Sequence, residues 1–282
     1  SQLSTLDNDE IAGAFSYSVF RNVIYKGLAS VENGEFSFQF VVPKDIDYTY
    51  GNGRISCYAL SGDIDAHGAS EDFVIGGTSN NVIPDDEGPE VQLYMNDSLF
   101  VRGGVTSDDP WLFARVFDDS GINTVGNGIG HDLKAILDDD HSNPYILNSY
   151  FSADLDTYKS GTVRFPFKDL EDGEHNLVLK VWDVQNNSAT DTTEFIVVNS
   201  IEVALDQVIA FPNPAIDNTT FRFSHNQECK AIEANVHIYN SDGKFVRSYS
   251  TDLHANGSTT DLLTWDLTND SGSKVEQGVY LF

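Results

Sequence analysis

Cysteine and histidine are the side chains with which this chain could do nucleophilic chemistry. A thiol peptidase needs a cysteine beside a histidine that acts as general base. The sequence has two cysteines: Cys57 alternates with Ile55 and Ala59, as in a half-buried strand, and Cys229 precedes a strand, with His225 nearby. Reactive thiols need electropositive surroundings, which an acidic chain does not offer. We therefore predict two free, buried thiols in different domains, with no disulfide and no catalytic residue.

Three acidic loops could in principle bind calcium, which prefers several converging oxygen ligands. They lie at residues 85–87, 118–119 and 138–141. None has the Asp-x-Asp-x-Asp-Gly pattern with a terminal glutamate, and no two of the seven histidines have zinc-site spacing. We predict solvated acidic loops, no metal ligand and no ion required for folding.

A glycine-rich stretch at residues 126–132 resembles a phosphate-binding loop only superficially. Such a loop needs a strand before it and a helix after it. Here Leu133, Ala135 and Leu137 follow with the spacing of a strand. The sequence therefore predicts an ordinary loop and no cofactor.

The charge balance narrows the range of partners. The 282 residues include 16 lysines and arginines against 44 acidic residues, a net charge of −28. Such a charge disfavours binding to nucleic acid or anionic lipid and favours solubility outside the cell. No apolar run reaches about 18 residues, so no transmembrane helix is predicted. The chain starts without a methionine or a signal peptide, as expected of a mature protein or a piece of a larger one.

Alternation of apolar and polar residues with a period of two recurs along the chain and predicts strands. Phe36, Phe38 and Phe40 predict one strand, and residues 73–75 another. Turn-forming residues at 78–88 predict a linker. Helices are difficult to place, the best candidates being residues 7–14 and a turn at 167–170. We predict a first β-sandwich over residues 1–85, incomplete at its N-terminus.

The same alternation continues through two further segments. Leu112, Ala114 and Val116 predict one buried face, and Leu177, Leu179 and Val181 predict another. Residues 195–198 predict the last strand of this segment, and the alternations at 221–223, 236–238 and 263–265 predict strands beyond it. Short strands with frequent turns indicate sandwiches. The predicted fold is all-β, with serial immunoglobulin-like β-sandwiches at 1–85, 86–199 and 200–282.

The last segment resembles a known family on an ordered set of motifs. These are a Pro-Asn-Pro entry at 212–214, an Ile-Tyr-Asn-x-x-Gly-Lys hairpin at 238–244, Trp-Asp at 265–266, Asn-Asp-x-Gly at 269–272 and Gly-Val-Tyr at 278–280. The set resembles the immunoglobulin-like C-terminal sorting domain of proteins exported by the type IX secretion system of Bacteroidetes. That resemblance implies a further strand after Gly-Val-Tyr, so the final strand is expected to be missing here.

Four earlier segments carry a second resemblance that covers nearly the whole chain. They are residues 42–46, 119–123, 128–132 and 181–188. They resemble the region that follows the peptidase domain in type IX secretion sortases, which are similar to gingipain-type cysteine peptidases. The resemblance implies a C-terminal, non-catalytic region. The family's catalytic histidine and cysteine match no position in this sequence.

Two functions follow from these resemblances, and a third, an enzyme within these residues, is disfavoured. In the first, the chain positions an upstream peptidase domain that cleaves the C-terminal signals of cargo and transfers the cargo to a lipopolysaccharide anchor. Its expected partners are an outer-membrane barrel protein and, through the peptidase domain, the cargo, at the cell surface and without membrane insertion or nucleic acid. In the alternative, the chain is a secreted cargo protein whose first two domains bind a glycan or another protein.

Overall fold

The computed structural model describes residues 2–4, 16–18, 23–46, 48–79, 84–125, 130–198, 205–225, 231–254 and 259–282. In these residues it contains strands and one 3₁₀ helix, Asn148–Tyr150, and no α-helix. The all-β prediction is confirmed. Within the same residues, no helix is long and apolar enough to cross a membrane.

The first region has short strands paired two by two. β1 pairs with β2, β3 with β6, and β4 with β5, all antiparallel. No described side chain before residue 93 belongs to a buried hydrophobic cluster, so the β-sandwich predicted for residues 1–85 stays a prediction. The bounds are β1 Gln2–Ser4, β2 Ser16–Ser18, β3 Gly51–Asn52, β4 Ile55–Ser61, β5 Ile64–Ser70 and β6 Val74–Ile75.

The strand predicted at residues 36–40 is wrong, although its alternation is real. Phe36, Phe38 and Phe40 share one side of an extended segment, and neighbouring rings stack with centroids 6.3–6.4 Å apart. Tyr25 stacks on Phe40 at 4.8 Å. No strand is assigned at these positions. Alternation determines which side chains share a face, but a strand also needs a hydrogen-bonded neighbour.

The second region is a β-sandwich of two sheets. One sheet has five strands in the order β11-β10-β14-β15-β8, and the other has four in the order β12-β13-β9-β7. All neighbours are antiparallel except β15 and β8. The bounds are β7 Glu90–Met95, β8 Val105–Thr106, β9 Trp111–Phe117, β10 Lys134–Leu137, β11 Tyr145–Ile146, β12 Phe151–Ala153, β13 Ser160–Pro166, β14 Gly173–Trp182 and β15 Ser188–Val197.

Its core is formed by the predicted inward faces. Leu112, Ala114 and Leu177 are fully buried, and the cluster of described residues comprises 19 buried apolar side chains. The strand predicted at 195–198 is the end of the longer β15. Residues 167–170 form no helix, and the helix candidate at 7–14 lies outside the described residues.

The third region has two three-stranded sheets, β16-β17-β20 and β19-β18-β21. Phe221, Val236, Ile238 and Trp265 form its buried cluster, as the alternation predicted for all four. The turn glycines Gly243 and Gly272 have φ of 74° and 77°, which only glycine adopts readily. The bounds are β16 Leu205–Phe211, β17 Thr219–His225, β18 Ala231–Asn240, β19 Phe245–His254, β20 Thr259–Trp265 and β21 Tyr280–Leu281.

Candidate functional site

Asp45 links the first region to the second. It lies in a turn that follows the buried Pro43, and only 5% of its surface is exposed. Its carboxylate accepts a hydrogen bond from Asn123 Nδ2 at 2.8 Å and contacts His131 Nδ1 at 2.8 Å. Asn123 follows β9, and His131 precedes β10. A buried carboxylate with two polar partners avoids most of the penalty of leaving water.

Trp182, at the end of β14, completes this junction. The His131 ring lies on the Trp182 ring with a centroid separation of 4.2 Å. On the first region's side, the Lys44 backbone N–H donates to the Val184 carbonyl at 2.9 Å, and Lys44 Nζ donates to the Gln185 carbonyl at 3.1 Å. We call Lys44, Asp45, Asn123, His131 and Trp182 the junction cluster.

Backbone hydrogen bonds hold the loop after β9 against the turn between β14 and β15. Asn123 N–H donates to the Trp182 carbonyl, and Val184 N–H donates to the Gly121 carbonyl, both at 2.9 Å. The four segments that carry the sortase resemblance, at 42–46, 119–123, 128–132 and 181–188, therefore all contribute residues to one place. Of residues 128–132, only 130–132 belong to the described part of the chain.

A cluster of three carboxylates lies beside the junction, formed by Asp85, Asp118 and Asp183. One oxygen of each lies within 4.8 Å of the others, and Asp118 and Asp183 are buried. Asp118 Oδ1 accepts from the N–H groups of Ser120 and Gly121 at 2.7 and 3.0 Å. We call these three residues the carboxylate cluster.

The other two carboxylates are also hydrogen-bonded. Asp183 Oδ1 accepts from the N–H groups of Gln185 and Asn187 at 2.9 and 2.7 Å, and Asp183 Oδ2 accepts from Asn187 Nδ2 at 2.7 Å. The Ser120 hydroxyl donates to Asp85 Oδ2. Protein donors thus already occupy several of the oxygens that a cation would need.

Burial is the main influence on the pKa values of Asp118 and Asp183. It raises the pKa of Asp118 to about 6, with the charges of Asp183 and Asp85 adding to the rise and the Ser120 and Gly121 N–H groups opposing it. Burial also raises the pKa of Asp183, against the hydrogen bonds from Asn187 and Gln185. Like charges that share a desolvated space favour retention of a proton.

The sequence did not predict that these carboxylates would meet. Asp85 and Asp118 belong to two of the acidic loops that the sequence offered as calcium ligands. Asp183 appeared only in the segment 181–188 that carries the sortase resemblance. The third loop lies elsewhere: Asp138 bonds to His175 Nδ1 at 2.7 Å. The Asp-x-x-x-Asn spacing of Asp183 and Asn187, in which the side chain caps its own turn, was the signal available. That the chain needs no metal stays a prediction.

Cys57 has no histidine on its side of the β4–β5 hairpin. Directly paired residues of antiparallel strands share a face, and Cys57 pairs with Gly68, whereas Tyr58 pairs with His67. Cys57 and His67 therefore lie on opposite faces. Cys57 is a free, half-buried thiol, and Cys229 lies outside the described residues. The hairpin provides no base for Cys57.

A cavity of about 750 Å³ is lined by the first region together with Val125 of the second, and it is in the size range of small-molecule sites. Tyr25, Phe38, Phe40 and Phe73 line its apolar walls, and Asp45 of the junction cluster contributes to its lining. A cavity of this size and polarity suits an apolar or aromatic guest.

Comparison with known proteins adds two findings. Residues 214–282 match the family model of the FlgD Ig-like domain. No curated protein matches the chain.

Among solved structures, the chain is similar to dimeric latent PorU from Porphyromonas gingivalis. The two share 34% sequence identity over 99% of this chain, with a TM-score of 0.42. The chain spans 26% of the length of that PorU chain. It is thus a β-protein that ends in a match to an immunoglobulin-like family and is similar in sequence to a part of PorU.

Proposed function

We propose that this chain is a non-catalytic C-terminal region of a cell-surface sortase of the type IX secretion system. One observation carries the proposal: the four segments that resemble sortases are separate in sequence but meet at the junction cluster. Because all four segments contribute to this junction, there is a physical reason for them to occur together in one chain. The 34% identity to PorU agrees with this reading.

In this function the chain positions an upstream peptidase domain. That domain cleaves the C-terminal signal of cargo and attaches the cargo to a lipopolysaccharide anchor, and the chain engages an outer-membrane barrel partner. The third region, whose residues 214–282 match an Ig-like family, acts as the sorting-type domain. The hydrogen bonds of Asp45 and Lys44 to the second region hold the first region in a defined position, as a positioning role requires.

The second candidate is a secreted cargo protein that binds a ligand with its first two regions. The aromatic cavity of the first region supports this candidate, because tyrosine and phenylalanine rings contact apolar and sugar surfaces well.

Deletion of the coding segment for these residues in the bacterium of origin separates the two candidates. If the chain belongs to the sortase, other cargo proteins retain their C-terminal signals and are not attached to the surface. If the chain is a cargo protein, mass spectrometry finds all other cargo cleaved normally, which overturns the proposal. A matched strain that carries Glu174→Gln, an exposed substitution away from the junction cluster and from the sorting-domain motifs, serves as the control.

A further inference from the structure

One face of the second region combines exposed aromatic rings with arginines. Along β9 the burial alternates, so that Leu112, Ala114 and Val116 point into the core. The side chains between them point outward, and the register places neighbours from β7 and β13 beside them. We call Tyr94, Trp111, Phe113, Arg115 and Arg164 the aromatic–arginine face.

The strand register shows that these five side chains are adjacent. Tyr94 pairs with Phe113, and Phe113 pairs with Arg164, so the three form one row across the sheet. Arg115 and Trp111 lie two residues to either side of Phe113 on the same face. Trp111 is 40% exposed.

Both guanidinium groups lie over the rings. The Arg164 guanidinium carbon is 5.7 Å from the Trp111 centroid and 5.6 Å from the Phe113 centroid, and that of Arg115 is 6.0 Å from Phe113. Contacts of this kind hold a guanidinium in place and are worth about 0.5–1 kcal/mol at exposed sites. The N–H donors at the edges of both guanidinium groups remain available to a partner.

Within the described part of the chain, neither Arg115 nor Arg164 forms an ion pair. Several other arginines do, for instance Arg102 with Glu194 and Arg222 with Asp261. Unpaired arginines are unexpected in a chain with 44 acidic and 16 basic residues. The chain's own carboxylates therefore leave this positive face free for another molecule.

We propose that the aromatic–arginine face docks an acidic segment of a partner protein. Tryptophan, tyrosine and arginine are the residues that dominate the energetics of protein interfaces. Guanidinium groups bind carboxylates through two parallel N–H donors, which defines the partner's charge. Glu90 shares this face, beside Phe117, but forms an ion pair with neither arginine. At physiological salt the screening length is about 8 Å, so more distant acidic residues weaken this local attraction only slightly.

A protein fits this face better than a glycan does. The guanidinium groups already cover the ring faces on which a sugar would stack. The side chains also stand on an open sheet surface, whereas small-ligand sites are concave. The inference holds for either function proposed above, because it depends on the second region alone.

Fluorescence anisotropy of a labelled peptide tests the proposal with the full 282-residue chain. The probe is a short peptide of alternating glutamate and valine, and its control has glutamine in place of glutamate. We expect the acidic peptide to bind at least about tenfold more tightly than its control, and the double variant R115Q/R164Q to lose about tenfold in affinity.

The matched control is K134Q/K244Q, which removes the same charge elsewhere and should change affinity less than about twofold. If R115Q/R164Q proves poorly folded, R115K/R164K replaces it; this variant keeps the charge but not the planar fork and should bind the acidic peptide more weakly than the wild type does. Absence of acidic-peptide binding to the wild type, or equal losses in both glutamine double variants, overturns the proposal. So does binding of hyaluronate, an acidic glycan, without binding of the peptide.

Discussion

His131 Nδ1 lies 2.8 Å from the carboxylate of Asp45, although 86 residues separate them in sequence. This pair joins the turn at residues 43–46 to the loop before β10. Asp45 also accepts a hydrogen bond from Asn123. A second attachment lies at Asp156 of the second region, whose carboxylate accepts from the Ser30 N–H and hydroxyl at 2.7 and 2.6 Å.

Replacement of Asp45 by alanine should loosen the attachment of the first region to the second. The substitution leaves Asn123 Nδ2 and His131 Nδ1 without this acceptor, which costs about 2 kcal/mol for hydrogen bonds to a charged group. Limited proteolysis should then cut residues 23–79 at least about tenfold faster, while residues 89–198 stay protected. Asp65→Ala, an exposed change in β5, is the control. Equal protection in Asp45→Ala and the wild type would show that other contacts hold the regions together.

The stability of the second region should depend on the ionisation of Asp118. Its pKa is about 6 when folded, against an ordinary value of 3.8. Between these pH values the folded state binds more protons than the unfolded state does. The contribution of Asp118 to the free energy of unfolding is therefore fully present below about pH 4 and is lost as pH rises through about 6. The full change corresponds to about 3 kcal/mol.

Asp118→Asn removes this titration and should gain stability relative to the wild type as pH rises. Hydrogen exchange of β14 amides at about pH 4.5 and 7.5 measures the difference, with rates corrected for intrinsic exchange. The control is Asp119→Asn, because the Asp119 side chain is 82% exposed. A variant that parallels the wild type at both pH values would contradict a raised Asp118 pKa.

Calcium should have little effect on thermal stability. A cation at the carboxylate cluster would compete with the N–H donors of Ser120, Gly121, Gln185 and Asn187 for the same oxygens. We expect melting curves in millimolar calcium and in chelator to coincide within about a degree. If calcium instead raises the melting temperature by several degrees, and Asp118→Asn abolishes the rise, the cluster is a metal site.

The third region should open more readily than the second. Its described buried cluster has four apolar side chains, whereas the cluster of the second region has 19. Because buried apolar area is the main stabilising contribution, amides in 205–282 should exchange faster than those in 89–198. Phe221→Ala should accelerate exchange within the third region only, and Leu179→Ala within the second only. Equal protection of the two regions would show that core size does not determine their order of stability.

The sequence alone determined the strand class and most of the buried faces. Residues 112–116 and 177–181 alternate in the structure as they do in the sequence, because a pleated strand turns successive side chains to opposite faces. Turn residues such as Gly243 were equally predictable, since a positive φ selects glycine. Both are local properties of the chain.

Only the tertiary structure decided which distant side chains meet. Asp85, Asp118 and Asp183 lie far apart in the sequence, and their proximity depends on the pairing of β14 with β15 and on the packing of the sheet that contains β9 against theirs. The segment at 36–40 shows the converse: its alternation is correct, but among the described residues no strand is hydrogen-bonded to it. A carboxylate cluster, a junction or a sheet depends on contacts between segments that are distant in the sequence. Hydrophobic periodicity and composition describe only one segment at a time.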